Sequence, residues 1–286
     1  MNNFKGVGSL LLCGLLYGLY GIFVRVLQTQ QLGTFQQIFL RNTSAFMLAL
    51  LAVFLLKTKW SVPKSKRKLV FFYCIPYPLS IIFLTLAFLH TQIAVAVFAM
   101  YSSSIALCYV IGYVFFKEKL TKLKILSAIL LFVGLAFFAM PFSTKSVNIG
   151  LVYGLLAGVF AGINVGMRKF LGNHIERFVL ITTQMLGGIV ITILFLLFFH
   201  QTNFPPLSSL SVLISLLFGL VVVIICYLSL VGFQYLDINV GAIVVSSELI
   251  FAPLFAILFF KEIPNAYQIV GGACIIGAIV IANIKR

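Results

Sequence analysis

Residues 239–284 read NVGAIVVSSELIFAPLFAILFFKEIPNAYQIVGGACIIGAIVIANI: one apolar run, a break at Lys261-Glu262-Ile263-Pro264, and a second apolar run. The pattern has an echo 144 positions earlier. Ser102, Ser103, Phe115, Phe116, Lys117 and Glu118 recur as Ser246, Ser247, Phe259, Phe260, Lys261 and Glu262. The same offset serves near the N-terminus, where Gly6, Leu11, Leu12, Gly14 and Gly18 recur as Gly150, Leu155, Leu156, Gly158 and Gly162. One gapless offset at both ends of a half is the mark of an internal duplication. The copies differ at one telling position: Ser104 becomes Glu248, inside an apolar run.

Composition identifies the solvent. Of 286 residues, 62% are hydrophobic and 9% are charged, against about 25% charged in soluble domains. Runs of about 20 apolar residues recur, the length of a transmembrane helix. The roughly ten-residue alternating segments of a membrane β-barrel are absent. The expectation is an all-α polytopic membrane protein with ten spans: about Val7–Val26, Thr34–Leu56, Leu69–Leu89, Ile93–Phe116, Leu123–Met140, Ile149–Met167, Phe178–Phe199, Ser208–Gln234, Asn239–Phe260 and Ala266–Ile284. Short breaks with charge, Pro or Asn separate them, as at Pro63, Pro141, Pro205-Pro206 and Pro264. The first run is too long for a signal-peptide core and has no small-x-small cleavage site.

The net charge of +15 points to orientation and lipid headgroups rather than nucleic acid, because the basic residues cluster at segment ends. Lys5, the cluster from Lys57 to Lys68, the cluster from Lys117 to Lys124, then Arg168, Lys169, Arg177, Lys285 and Arg286 fall at one set of ends. Only Arg25, Lys145 and Lys261 fall at the other. The positive-inside rule therefore predicts both termini in the cytoplasm. Five spans per half is an odd number, so the second copy, residues 146–286, is predicted to insert opposite to the first, residues 1–145. Inverted repeats of this kind suit alternating access around a midplane site.

Polar groups inside the spans nominate that site. Glu248 stands nine residues beyond Asn239, about 14 Å of helix rise into a hydrocarbon core about 30 Å thick. A carboxyl group there binds a cation or proton, or is held neutral against another helix. Arg41 lies seven residues into the second span; it either snorkels to headgroups or clamps a carboxylate, of a substrate or of Glu248. Tyr17, Tyr20, Tyr77, Tyr101, Asn164, Gln184 and Tyr227 complete the candidates. Each alone also serves interhelical hydrogen bonding or an aromatic belt, and together they suit a mostly apolar cavity with a few polar fixing points. Glycines at every fourth position from Gly150 to Gly166 mark a tight helix contact, and Pro253 is expected to loosen the ninth span.

Several chemistries are excluded. No GxxxxGK[ST] or HExxH occurs. The acids are Glu118, Glu176, Asp237, Glu248 and Glu262, no two on one face of one span, so neither a metal site nor a paired-carboxylate enzyme is expected. The five cysteines read as apolar fillers. No cofactor is implied.

SSSIALCYVIGYVFFKEKLT in the first half and SSELIFAPLFAILFFKEIPNAYQIVGG in the second resemble the drug/metabolite transporter superfamily, specifically an EamA-type ten-helix permease. The resemblance covers two repeats, Gly6–Met140 and Gly150–Ile284. Glu248 matches the Glu of the usual Glu-Pro, although Leu249 stands where Pro is common. Glu118 and Glu262 match the run-ending acids, with Lys117 and Lys261 where Gly is common. The resemblance implies a basket of spans one, three, four, six, eight and nine around a central cavity, with spans five and ten at the margin. It implies secondary transport of amino acids, related metabolites or drugs across a cytoplasmic (inner or plasma) membrane. The expected partners are a small-molecule substrate and membrane lipids; a homodimer is left open. The rival cargo is a nucleotide-like metabolite such as S-adenosylmethionine; the rival classes are a non-transporting scaffold and an intramembrane transferase.

Overall fold

The computed structural model describes residues 2–91, 93–138, 140, 149–261 and 265–283. Pro141, Lys145, Glu262, Pro264, Ile284, Lys285 and Arg286, which enter the reading above, lie outside the described residues. All regular structure among the described residues is helical. In chain order the helices are α1 (Asn2–Gly18), α2 (Tyr20–Thr29), α3 (Thr34–Leu55), α4 (Arg67–Tyr73, after a 3₁₀ turn at Lys64–Lys66), α5 (Pro76–His90), α6 (Ile93–Phe116) and α7 (Lys122–Phe138). They continue as α8 (Ile149–Leu171), α9 (Arg177–Phe198), α10 (Ser209–Tyr235), α11 (Ile238–Val245), α12 (Glu248–Phe260) and α13 (Ala266–Asn283).

Nine segments among the described residues are long and apolar enough to cross a membrane. Three of them are broken helices: α1–α2, α4–α5 and α11–α12. The remaining expected span coincides with α7, whose 17 residues rise only about 26 Å. Large apolar side chains face outward, with Phe115 and Phe198 each 76% exposed. Such a surface is covered by lipid rather than water.

The breaks have local causes. Pro76 and Pro78 start α5, where a missing N–H costs nothing because the first turn has no acceptor for it. The ninth span breaks at Ser246-Ser247, before the proline expected to loosen it. There Leu249 N donates to Ser246 O at 3.0 Å and Ile250 N to Ser247 O at 2.9 Å, the tighter 3₁₀ pattern. The same two serines in the first copy, Ser102 and Ser103, sit inside the unbroken α6. The serines alone are therefore insufficient. The copies also differ at Glu248, where the first has Ser104, and at Pro253, which removes the donor to the Leu249 carbonyl and has Tyr109 at its counterpart.

Glycine contacts assemble the bundle. Gly154 lies against Ala96 and Ala99, Gly158 against Met100 and Ser103, and Gly162 against Ser104 and Leu107, so α8 meets α6 backbone to backbone. The offset of 144 carries these onto the second junction: Gly14 lies against Ser247 and Glu248, and Gly18 against Phe251 and Ala252. Gly6 against Tyr235 is likewise matched by Gly150 against Thr91. In contrast, α7 and α13 pair with each other through Gly134, Cys274 and Ile275.

Contacts also define two ends. At one, Gly6 touches Tyr235, Lys66 covers the Phe170 ring at 4.3 Å and Lys124 pairs with Asp237 at 2.5 Å. This end gathers the start of α1 and the finish of α8. At the opposite end Gln36 Nε2 donates to Asn203 O at 2.8 Å and Ser208 Oγ to Gln30 Oε1 at 2.7 Å.

A Cβ at Gly158 would overlap Ser103 Oγ and Met100 O, whereas one at Gly8 meets nothing within 4 Å. Gly158→Ala is expected to cost about 1–3 kcal/mol, read as a lower thermal unfolding temperature in detergent. Gly8→Ala should leave it unchanged or raise it.

Candidate functional site

A cavity of about 160 Å³ lies between α1, α2, α5, α6, α8, α10, α11 and α12. A water occupies about 30 Å³ in the liquid, so a small organic molecule fits. These helices are spans one, three, four, six, eight and nine, the set the resemblance implies.

Glu248 opens α12 at the break and lines the cavity. Its position in the first turn turns the positive end of the half-helix toward its carboxyl group. The hydroxyl of Tyr101, one turn before Ser104 on α6, donates to Glu248 Oε2. Tyr17 and Tyr20 flank the break at Leu19 and face the same space, their rings 5.2 Å apart edge to face. Tyr77 from α5 and Asn164 from α8 complete this part of the wall.

Three candidates stand elsewhere. Gln184 is fully buried one layer behind, where its Nε2 donates to Asn164 Oδ1 at 2.7 Å. Arg41 is 4% exposed, so it does not snorkel. Its guanidinium stands 5.8 Å from the centroid of Tyr20 and 5.2 Å from that of Phe218. It donates to Asn42 Oδ1 at 3.3 Å. Glu248 is thus held by Tyr101, and no pair with Arg41 forms among the described residues. Tyr227 is outside the cavity wall: its hydroxyl accepts from Arg177 at 3.3 Å and its ring stacks on Phe178 at 5.3 Å.

One charged wall residue escaped sequence reasoning. Arg168 reads in the sequence as a basic residue at a segment end, beside Lys169. In the fold it is 3% exposed and lines the cavity. It donates to Ser229 Oγ at 2.6 Å, to Gln184 Oε1 at 3.0 Å and to Cys226 Sγ at 3.2 Å. It also lies 5.6 Å from the centroid of Tyr77. The available signal was its spacing: Arg168 is four residues past Asn164, hence on the same helix face.

Lys169 points the other way and closes the basic end. Its Nζ donates to Glu118 Oε1 at 2.6 Å and to Leu236 O at 2.8 Å. Glu118 is 7% exposed, and the same Oε1 accepts from Ile238 N at 2.7 Å. One carboxyl group therefore ties the end of α6 to the end of α8 and to the α10–α11 turn. Gly112 leaves room for it, since a Cβ there would lie 2.7 Å from Glu118 Oε2. Lys117, next to it, takes a φ of 53°, and its repeat partner Lys261 a φ of 57°. Both end a helix in the left-handed region that glycine occupies most cheaply.

The family model for EamA-like transporters matches residues 4–140 and again 148–284. The chain belongs to the EamA-like transporter family. It is a multi-pass membrane protein of a transporter family. A crystal structure of a protein is similar over 99% of this chain and 96% of its own, with a TM-score of 0.80 and 16% identity. At that identity the likeness concerns the fold. No curated protein matches the chain.

Ser104 lines the cavity, whereas Thr192 is fully buried away from it. In this EamA-like transporter, Ser104→Cys should react with a small hydrophilic thiol reagent above the background of the native cysteines. Thr192→Cys should not, as measured by mass shift in lipid nanodiscs.

Proposed function

We propose that this protein is a secondary transporter of amine-bearing small organic solutes, amino acids and their relatives first, in a cytoplasmic membrane. The observation that carries the reading is Glu248: a carboxyl group at a helix break, on a cavity wall, with one tyrosine hydroxyl on it. Such a group exchanges a hydroxyl partner for a substrate ammonium or a proton at little structural cost.

The repeats, residues 1–145 and 146–286, are inverted five-helix units that work by alternating access. Support comes from the basic end, where α1 begins and its counterpart α8 finishes, and from glycine contacts that exchange under the offset of 144. With the basic end in the cytoplasm, both termini are cytoplasmic. Glu118–Lys169 then closes the inner side. The offset carries Glu118 and Lys169 onto Glu262, which lies outside the described residues, and Arg25. Cargo at Glu248 biases the opening of the inner side.

Two outcomes follow. Glu248→Gln should lower amino-acid flux in proteoliposomes at least tenfold while the protein still inserts and elutes as a single species; unchanged flux removes Glu248 from the mechanism. Lys169→Met leaves Glu118 buried without its cation, which costs several kcal/mol in the closed state. It should raise the rate at which a membrane-impermeant reagent labels Ser104→Cys from the basic side severalfold, without a matching rise from the other side.

A further inference from the structure

We infer that the cavity selects cargo of net negative charge: an amine carrying two anionic groups, the chemistry of a dicarboxylic amino acid. This rests on the carrier reading above and names the cargo of the same cavity.

The reason is an imbalance of buried charge. One guanidinium group and one carboxyl group line the cavity, and a second guanidinium group stands one layer behind its wall. Arg168 lines it, and Arg41 stands directly behind Tyr20, which lines it. Guanidinium stays protonated in proteins. Every acceptor the two arginines reach is neutral: Ser229, Gln184 and Cys226 for Arg168, and Asn42 for Arg41. The Nε of each is buried with no partner. The described acids are engaged elsewhere or distant. Glu118 holds Lys169, Asp237 holds Lys124, Glu248 takes the Tyr101 hydroxyl, and Glu176 precedes α9 at the basic end.

A guanidinium in a membrane protein's interior without a counter-anion is costly. The polar neighbours moderate that cost without cancelling the charge. A planar fork with an unfilled donor is complementary to carboxylate. Taking Glu248 as ionised, the three groups sum to one positive charge. Loaded to neutrality, the site takes an ammonium at Glu248, one carboxylate at Arg168 and a second carboxylate on the Tyr20 side, toward Arg41. A neutral zwitterion would satisfy Glu248 and Arg168 and leave Arg41 uncompensated. A cationic solute would worsen the balance.

Tyr20 provides the route to Arg41. It starts α2 immediately after the break at Leu19 and is the wall residue that separates the cavity from the guanidinium. Phe218 stands beside Tyr20, their rings 4.8 Å apart edge to face, and both lie against the Arg41 guanidinium.

The test is equilibrium binding to the full-length protein in nanodiscs, with L-glutamate, its neutral isostere L-glutamine, and L-lysine as probes. Glutamate is expected to bind at least tenfold tighter than glutamine, with lysine weakest. Arg168→Gln should weaken glutamate and glutamine together by at least tenfold. Arg168→Lys, which keeps the charge and loses the fork, should recover part of that loss and shows that the site still folds. Arg41→Gln should narrow the glutamate-to-glutamine ratio to within about threefold. Glutamine binding as tightly as glutamate to the wild type, or an unchanged ratio in Arg41→Gln, overturns the inference. If glutamine flux then still depends on Glu248, the carrier reading survives that failure. Binding of none of the three probes overturns the inference, and absence of any Glu248-dependent amino-acid flux overturns the carrier reading with it.

Discussion

Close approach of backbones is the constraint on which the rest depends. In lipid the hydrophobic effect does not draw one apolar helix to another, so association relies on van der Waals contact and hydrogen bonds between helices. Gly154, Gly158 and Gly162 bring α8 onto α6, and Gly14 and Gly18 bring α1 and its end onto α11 and α12. These two junctions carry the residues of the site. Ser103, against Gly158, adjoins Ser104 and Tyr101 on α6. Ser247, against Gly14, adjoins Glu248. The cavity polar groups are therefore registered by the same contacts that hold the bundle together.

The second junction differs from the first in one way that matters for chemistry. The first keeps α6 continuous through Ser102 and Ser103. The second interrupts the helix at Ser246-Ser247 and begins α12 at Glu248. A half-helix that starts inside the membrane has backbone N–H groups without helical acceptors and a positive dipole end. Here the 3₁₀ bonds from Leu249 and Ile250 take up N–H groups, and an acid at Glu248 faces the dipole end, where a cation competes with it. A duplicated scaffold has thus been made asymmetric at its centre by Ser104/Glu248 and by Tyr109/Pro253.

Buried cations are organised by position along the same helix. Arg168 and Lys169 are adjacent in sequence and face opposite environments. Lys169 meets Glu118 at the end of the bundle, a charge-assisted contact that joins three helix termini. Arg168 turns inward, where it meets hydroxyl, amide and thiol groups but no acid among the described residues. One residue closes an end of the cavity, and its neighbour supplies charge to the interior. A step of about 100° per residue around the helix separates the two tasks.

The sequence by itself determined the solvent, the duplication, the approximate spans and the depth of Glu248. These are properties of the linear order: hydropathy is a local sum, a repeat is an offset, and depth is a count of residues at a fixed rise. It also nominated Tyr17, Tyr20, Tyr77, Tyr101 and Asn164, because a polar group in an apolar run stands out wherever the helix lies. Only the tertiary structure decided that Arg168 belongs to the cavity while Tyr227 does not, that Arg41 packs against the Tyr20–Phe218 ring pair rather than pairing with Glu248, and that the ninth span breaks before Glu248. Which face a helix turns inward, and what covers it, depends on neighbours far away in the chain, and no count along the sequence contains them.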